Sequence, residues 1–270
     1  MTSDDLARFE SPEPDRHIPY GDDPLQYGEL RLPKGPGPHP VVILIHGGCW
    51  LSEYDITHLR KLAAAITETG VATWALEYRR VGNPGGGWPG TFQDIARGAD
   101  QLRTLAKTYP LDLERVVAAG HSAGGHLALW LAARPKLTDL EPFRTENPVG
   151  IRAVLALAPA PDLVYLHEQD TCGGVVDKLL GGSPEAQPER YRAASPMNLL
   201  PMGVPQILVL GRFDDSWAPI GRRYFEAAKE KRDDVRLVEA PESGHFEMID
   251  PDSTTWPLVR DALRDLLERR

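Results

Sequence analysis

The sequence predicts an α/β domain: a mostly parallel sheet with helices on both faces and a small cap. Three observations predict it. Short apolar runs alternate with segments of helical spacing along the chain. The runs are continuously apolar, as in strands covered on both faces. And residues 116–125 read VVAAGHSAGG, an apolar strand, a sharp turn and an apolar helical segment, with Ser122 at the apex.

The elements follow in order. Residues 1–16 are polar and expected to be a poorly ordered lead-in. Residues 17–20 and 26–32 read as short strands around the turn cluster Gly21-Asp22-Asp23-Pro24, and they suit an antiparallel edge. Residues 41–45 are VVILI, a buried strand running into His46-Gly47-Gly48-Cys49-Trp50. Residues 59–69 have helical spacing and stop at Gly70. A strand at 71–78, a Gly/Pro loop at 83–89 and one helix over 92–109 come next. The helix shows an apolar face of Phe92, Ile95, Ala96, Ala99, Leu102, Leu105 and Ala106. Strands are predicted at 115–119, 151–157, 206–210 and 235–239, and helices at 126–133, 220–229 and 255–267. Residues 162–205 are rich in Gly and Pro with weak periodicity, with some short helix expected near 175–180 and 188–194. A long insertion of this kind between strands is usually functional. It is read as a small cap within a single domain covering 1–270.

Composition narrows the function. The chain has 270 residues, 41% hydrophobic and 26% charged, which is ordinary for a globular protein. A net charge of −9 argues against nucleic acid as partner and against an anionic membrane surface. No apolar run nears the roughly 18 residues of a membrane span. The opening MTSDDLARFESPEPDRH has no apolar core, so no signal peptide is read and the cytoplasm is the expected compartment. The two cysteines, Cys49 and Cys172, match no zinc spacing. His46, His121 and His126 do not form H-E-x-x-H, so neither metal nor cofactor is expected.

The chemistry centres on Ser122. Gly120, Gly124 and Gly125 lack the Cβ atoms that a strained elbow would crowd. The serine then sits at a helix N-terminus, where negative charge is favoured. A hydroxyl is a weak nucleophile and needs a base with a group to orient it. The loop after strand 235–239 carries His245, the candidate general base. Strand 206–210 ends in Gly211-Arg212-Phe213-Asp214-Asp215, so Asp214 or Asp215 would hold the imidazole. Ligand sites of open α/β sheets lie at this carboxyl edge. An oxyanion also needs donors, and the N–H groups of Gly48, Cys49 and Ala123 are suited to that role. Trp50, Trp88 and His121 are candidate pocket residues.

HGGCW, GHSAGG, GRFDD and SGHF together resemble the α/β-hydrolase superfamily from about residue 26 onward. Within it they are similar to small esterases of the hormone-sensitive-lipase and kynurenine-formamidase type. The resemblance implies the α/β-hydrolase fold, a Ser122–His245–Asp214 triad, and oxyanion donors at Gly48, Cys49 and Ala123. It selects Asp214, three residues past the strand-ending glycine. Cys49 stands where many relatives have glycine, closer to the H-G-G-x-W form of formamidases. The N-terminal segment is short for the large helical cap of hormone-sensitive-lipase relatives. A Cys49–Cys172 disulfide is open if the cap folds over the site. The expected function is hydrolysis of a small carboxylic ester through an acyl-enzyme, by a monomer or homodimer. Alternatives are an arylformamidase acting on N-formylkynurenine, a peptidase resembling prolyl oligopeptidase, and a non-catalytic hydrolase-fold binding protein.

Overall fold

Strand β3 (His39–Ile45) explains the layering of the whole molecule. Successive strand side chains point to opposite faces. Val41, Ile43 and Ile45 enter one apolar layer, and Val42 and Leu44 enter the other. Both faces are therefore buried, and each such side chain contributes roughly 1.5–3 kcal/mol.

A computed structural model describes residues 1–2, 5, 12–137, 139–140, 143, 145 and 147–269. The remaining strands are β1 (Arg16–Pro19), β2 (Tyr27–Arg31), β4 (Ala72–Leu76), β5 (Leu111–His121), β6 (Ala153–Leu157), β7 (Gln206–Gly211) and β8 (Val235–Ala240). They form one eight-stranded sheet in the order β1-β2-β4-β3-β5-β6-β7-β8. β1 and β2 make the antiparallel edge, with β2 antiparallel to β4. The other pairings are parallel.

Helices α1 (Arg60–Glu68) and α10 (Trp256–Glu268) cover one face through Leu62, Ile66, Val259 and Leu263. The other face carries α2 (Gly90–Asp100), α3 (Leu102–Leu105), α4 (Ala123–Ala133) and α9 (Ala218–Glu230). Between β6 and β7 lie α5 (Leu163–Glu168), α6 (Val175–Leu180), α7 (Pro188–Ala194) and α8 (Pro196–Leu199). α4 is buried along its entire length, because it packs on β5 and β6 and on α8. A helix that is apolar all round needs such cover.

Several boundaries differ from the expected ones for local reasons. The helix expected over 92–109 is split at Gln101 into α2 and α3. The turn keeps the helical bonds Gln101 N–H to Arg97 O (3.0 Å) and Leu105 N–H to Gln101 O (3.0 Å), so the path stays helical. β5 begins at Leu111 rather than 115, because Leu111 and Asp112 pair with His39 and Pro40 before a register shift. The unforeseen α5 is capped by Asp162, whose carboxylate accepts from Tyr165 N–H at 3.2 Å, a start signal that the sequence does carry. Residues 3, 4 and 6–11 of the expected lead-in lie outside the described residues. Residues 12–15 are held, since Arg31 donates to the carbonyls of Pro12 and Glu13, and Leu32 N–H donates to Asp15 at 2.7 Å.

Candidate active site

Ser122 follows β5 and caps α4 with φ 55° and ψ −119°. That backbone is unusual for a side-chain-bearing residue and costs about 1–3 kcal/mol. Packing enforces it. A Cβ on Gly120 would meet Gly124 O at 2.2 Å, and a Cβ on Gly124 would meet Ile45 O at 2.0 Å. Ser122 N–H donates to Leu157 O of β6 at 2.9 Å, which pins the elbow to the sheet.

His245 follows β8, and its Nδ1 lies 2.7 Å from Asp214 Oδ2. A carboxylate only accepts, so Nδ1 carries the proton and Nε2 is the basic nitrogen. Asp214 is 5% exposed, and its other oxygen accepts Trp217 N–H at 3.1 Å. Asp215, one residue on, is exposed to solvent. The geometry thus separates two carboxylates that strand position alone leaves equal. The Trp217 ring stacks on the His245 ring with centroids 5.1 Å apart.

Ser122 and His245 line one cavity of about 130 Å³ together with Gly48, Cys49 and His121. Tyr54, His58, Leu59, Trp217, Phe246 and Ile249 complete its wall. None of these six is among the site residues that the sequence points to. Trp217 and Phe246 adjoin the two triad candidates in the chain, which is a usable signal. Tyr54, His58 and Leu59 are brought in by the turn after β3. Gly48 makes that turn possible, since its φ is 104° and a Cβ there would meet Tyr54 Cβ at 2.4 Å.

Two expected pocket residues lie elsewhere. Trp50 is buried in the core and its indole N–H donates to His126 Nδ1 at 3.2 Å. Trp88 packs edge-on against Phe92 and Phe143 at 5.4 and 5.1 Å. Both indoles belong to the aromatic packing beside α2 and α4, not to the cavity wall. His121 does line the cavity. Ala123 is the first residue of α4, where N–H groups have no partner one turn back. Among the described residues no group of three or more His, Cys, Asp or Glu side chains is placed to hold a metal ion.

The loop bearing Gly48 and Cys49 is supported from below. His46 is fully buried, and its Nδ1–H donates to Gly47 O at 2.8 Å. Its Nε2 lies 3.2 Å from both Glu77 Oε1 and Arg80 Nη1. Burial, reinforced by the Arg80 charge, pushes its pKa down to about 3. His46 is therefore neutral, its Nε2 accepts from Arg80, and the ion pair is Glu77 with Arg80. From above, Cys49 is joined to Cys172, between α5 and α6, by a disulfide. The pairing that the sequence left open is formed.

His126 is the second buried neutral imidazole. It accepts from Trp50, donates from Nε2 to Ala194 O at 2.9 Å, and burial lowers its pKa to about 4. These depressed values make folding pH-dependent. Below about pH 6.5 the unfolded chain binds protons that native His46 and His126 refuse. Stability should therefore fall as pH drops from 6.5 towards 4, by up to about 1.4 kcal/mol per pH unit for each residue. Urea midpoints at pH 7.0, 5.5 and 4.5 should decline, and His126→Gln should remove about one proton from the slope. A slope unchanged in that variant would count against the assignment.

The sheet order, the mixed edge and the serine elbow define an α/β hydrolase. A BD-FAE family model matches residues 29–222, and the chain belongs to the BD-FAE family. Among curated relatives, esterase LipC of Mycobacterium tuberculosis (strain ATCC 25618 / H37Rv) is 26% identical over 250 residues, covering 87% of this chain and 60% of LipC. The probable carboxylic ester hydrolase LipM of the same organism is 26% identical over 222 residues, covering 79% of this chain and 51% of LipM. The chain thus spans about half to three-fifths of the length of these two relatives. Among solved structures, esterase B of Lactobacillus rhamnosis superposes with a TM-score of 0.84 at 22% identity, covering 98% of this chain and 91% of that one. No helix among the described residues is long and apolar enough to cross a membrane.

Proposed function

We propose that the protein is a serine carboxylesterase for small, short-acyl esters, working through an acyl-enzyme. The observation that carries this is the His245 Nδ1–Asp214 contact of 2.7 Å at a cavity that Ser122 also lines. In the proposed reaction Ser122 Oγ attacks the ester carbonyl carbon while His245 Nε2 takes its proton. The carbonyl oxygen becomes an oxyanion held by the N–H groups of Gly48, Cys49 and Ala123. The C–O bond to the alcohol breaks, and His245 returns the proton to the departing oxygen. Water, deprotonated by the same imidazole, then attacks the acyl-enzyme and releases the carboxylic acid and Ser122. Esterase names among the relatives support the ester class.

Cavity size supports the acyl length. The cavity is small, about 130 Å³. That size favours acetyl to butyryl groups over longer chains, and Leu59 and Ile249 are among the apolar side chains that line it. The test is a series of p-nitrophenyl esters from acetate to octanoate, run beside N-formylkynurenine. We expect the highest kcat/KM at two to four acyl carbons and at least a tenfold fall by octanoate. A maximum at octanoate would overturn the acyl assignment, and faster turnover of the formamide than of every ester would overturn the esterase reading.

Residues 162–205 are proposed as a cap of a single domain, supported by the bond from Cys172 to Cys49 at the cavity wall. The cytoplasmic expectation has that bond against it, since disulfides persist mainly in oxidising compartments. A monomer or homodimer is proposed because exposed large apolar side chains are few: Met1, Leu140 and Phe213 among the described residues.

A further inference from the structure

We propose that His121, the residue before the nucleophile, is a positioning residue that holds the backbone of the general base through an imidazole-to-carbonyl hydrogen bond. The inference rests on the triad reading above and adds a role to it. His121 Nε2 lies 2.8 Å from the carbonyl oxygen of His245, across 124 residues of sequence. A carbonyl only accepts, so Nε2 carries the proton and donates it. His121 is 3% exposed, and its ring centroid is 4.5 Å from that of His245. Burial keeps it neutral, with its pKa well below the usual value, and the nearby His245 lowers it further.

The placement explains what Asp214 leaves undone. Asp214 orients the His245 ring through Nδ1, but does not hold the loop from which the ring hangs. Neighbouring anchors hold that loop elsewhere: Phe213 N–H donates to Ser243 O at 2.9 Å, and Gly244 N–H donates to Glu247 Oε2 at 2.8 Å. The carbonyl of His245 itself is taken by His121. Because His121 is bonded directly to Ser122, the nucleophile and the base share one rigid frame at the end of β5. The same residue also touches the third part of the site. A Cβ on Gly47 would meet His121 O at 2.8 Å and His121 Nδ1 at 3.3 Å, so the loop of Gly48 and Cys49 is packed against it. A misplacement of about 1 Å in reacting groups can cost on the order of a hundredfold in rate. Loss of this one bond should therefore appear in turnover and not in substrate affinity.

The test compares His121→Met, which keeps bulk and removes the donor, with His121→Gln, whose amide can reach the same carbonyl. Two readouts are used: kcat and KM on p-nitrophenyl acetate, and the rate at which a fluorophosphonate labels Ser122. For His121→Met we expect kcat and the labelling rate to fall tenfold to a hundredfold, with KM within threefold. His121→Gln should recover at least half of that loss on a logarithmic scale. Equal labelling rates in wild type and His121→Met would overturn the proposal, as would a loss confined to KM or one that Gln does not relieve. If His121→Met does not fold, His121→Asn replaces it, since its amide is too short to span to the carbonyl. Failure of the wild type to react with the fluorophosphonate at all would instead sink the serine-nucleophile reading. A wild type that labels but hydrolyses no ester would sink only the substrate assignment, and the labelling comparison would still decide the role of His121.

Discussion

Ser122→Ala should lose about a millionfold in kcat on short esters, the scale seen when a triad serine is removed. The expected size follows from what the hydroxyl does. With it gone no acyl-enzyme forms, and only the remaining donors and the bound geometry act on a direct attack by water. The fold should survive, because the constraints on the elbow are made by Gly120 and Gly124 and by Ser122 N–H, none of which the substitution touches. Thermal melting within a few degrees of wild type, with no fluorophosphonate labelling and no ester turnover, is the expected result. Turnover within a hundredfold of wild type would place the nucleophile elsewhere.

Asp214→Asn should cost about ten-thousand-fold in kcat with KM little changed. An amide at this position offers Nδ1 a donor as readily as an acceptor. His245 can then adopt the tautomer with its proton on Nε2, which leaves no base facing Ser122. The contact of 2.7 Å and the second bond from Trp217 N–H show how firmly the carboxylate is held. Asp215→Asn is the internal control. Asp215 is exposed one residue away, so its substitution should leave kcat within twofold. Comparable losses in both variants would mean that general charge at this sheet edge matters, not one oriented carboxylate.

The same pair of carboxylates shows where sequence reading stops. The position of the acid after β7 is local information, carried by a strand and the turn that ends it. Which of two adjacent carboxylates faces His245 depends on how the loops after β7 and β8 meet. From the residues alone Asp214 and Asp215 are equal, and within the sequence only a family layout separates them. The two tryptophans fail for a related reason. Trp50 and Trp88 adjoin loops of the site in the chain, but a buried indole N–H needs a partner, and Trp50 finds it in His126 on α4. The cavity wall shows the converse. Tyr54, His58 and Leu59 carry no motif, and they reach the cavity because Gly48 turns the chain back across it.

Sequence by itself determined the alternation of strands and helices, the antiparallel edge, the serine elbow with its glycines, and the chain order of serine, acid and histidine. Those features are written in side-chain periodicity, turn chemistry and spacing, which act over a few residues. The tertiary structure decided the burial of Trp50, the closing of Cys49 on Cys172, the cavity wall and the hold of His121 on the His245 carbonyl. Each of these joins segments from tens of residues to more than a hundred apart, and such contacts are set by the packing of whole layers, not by local propensity.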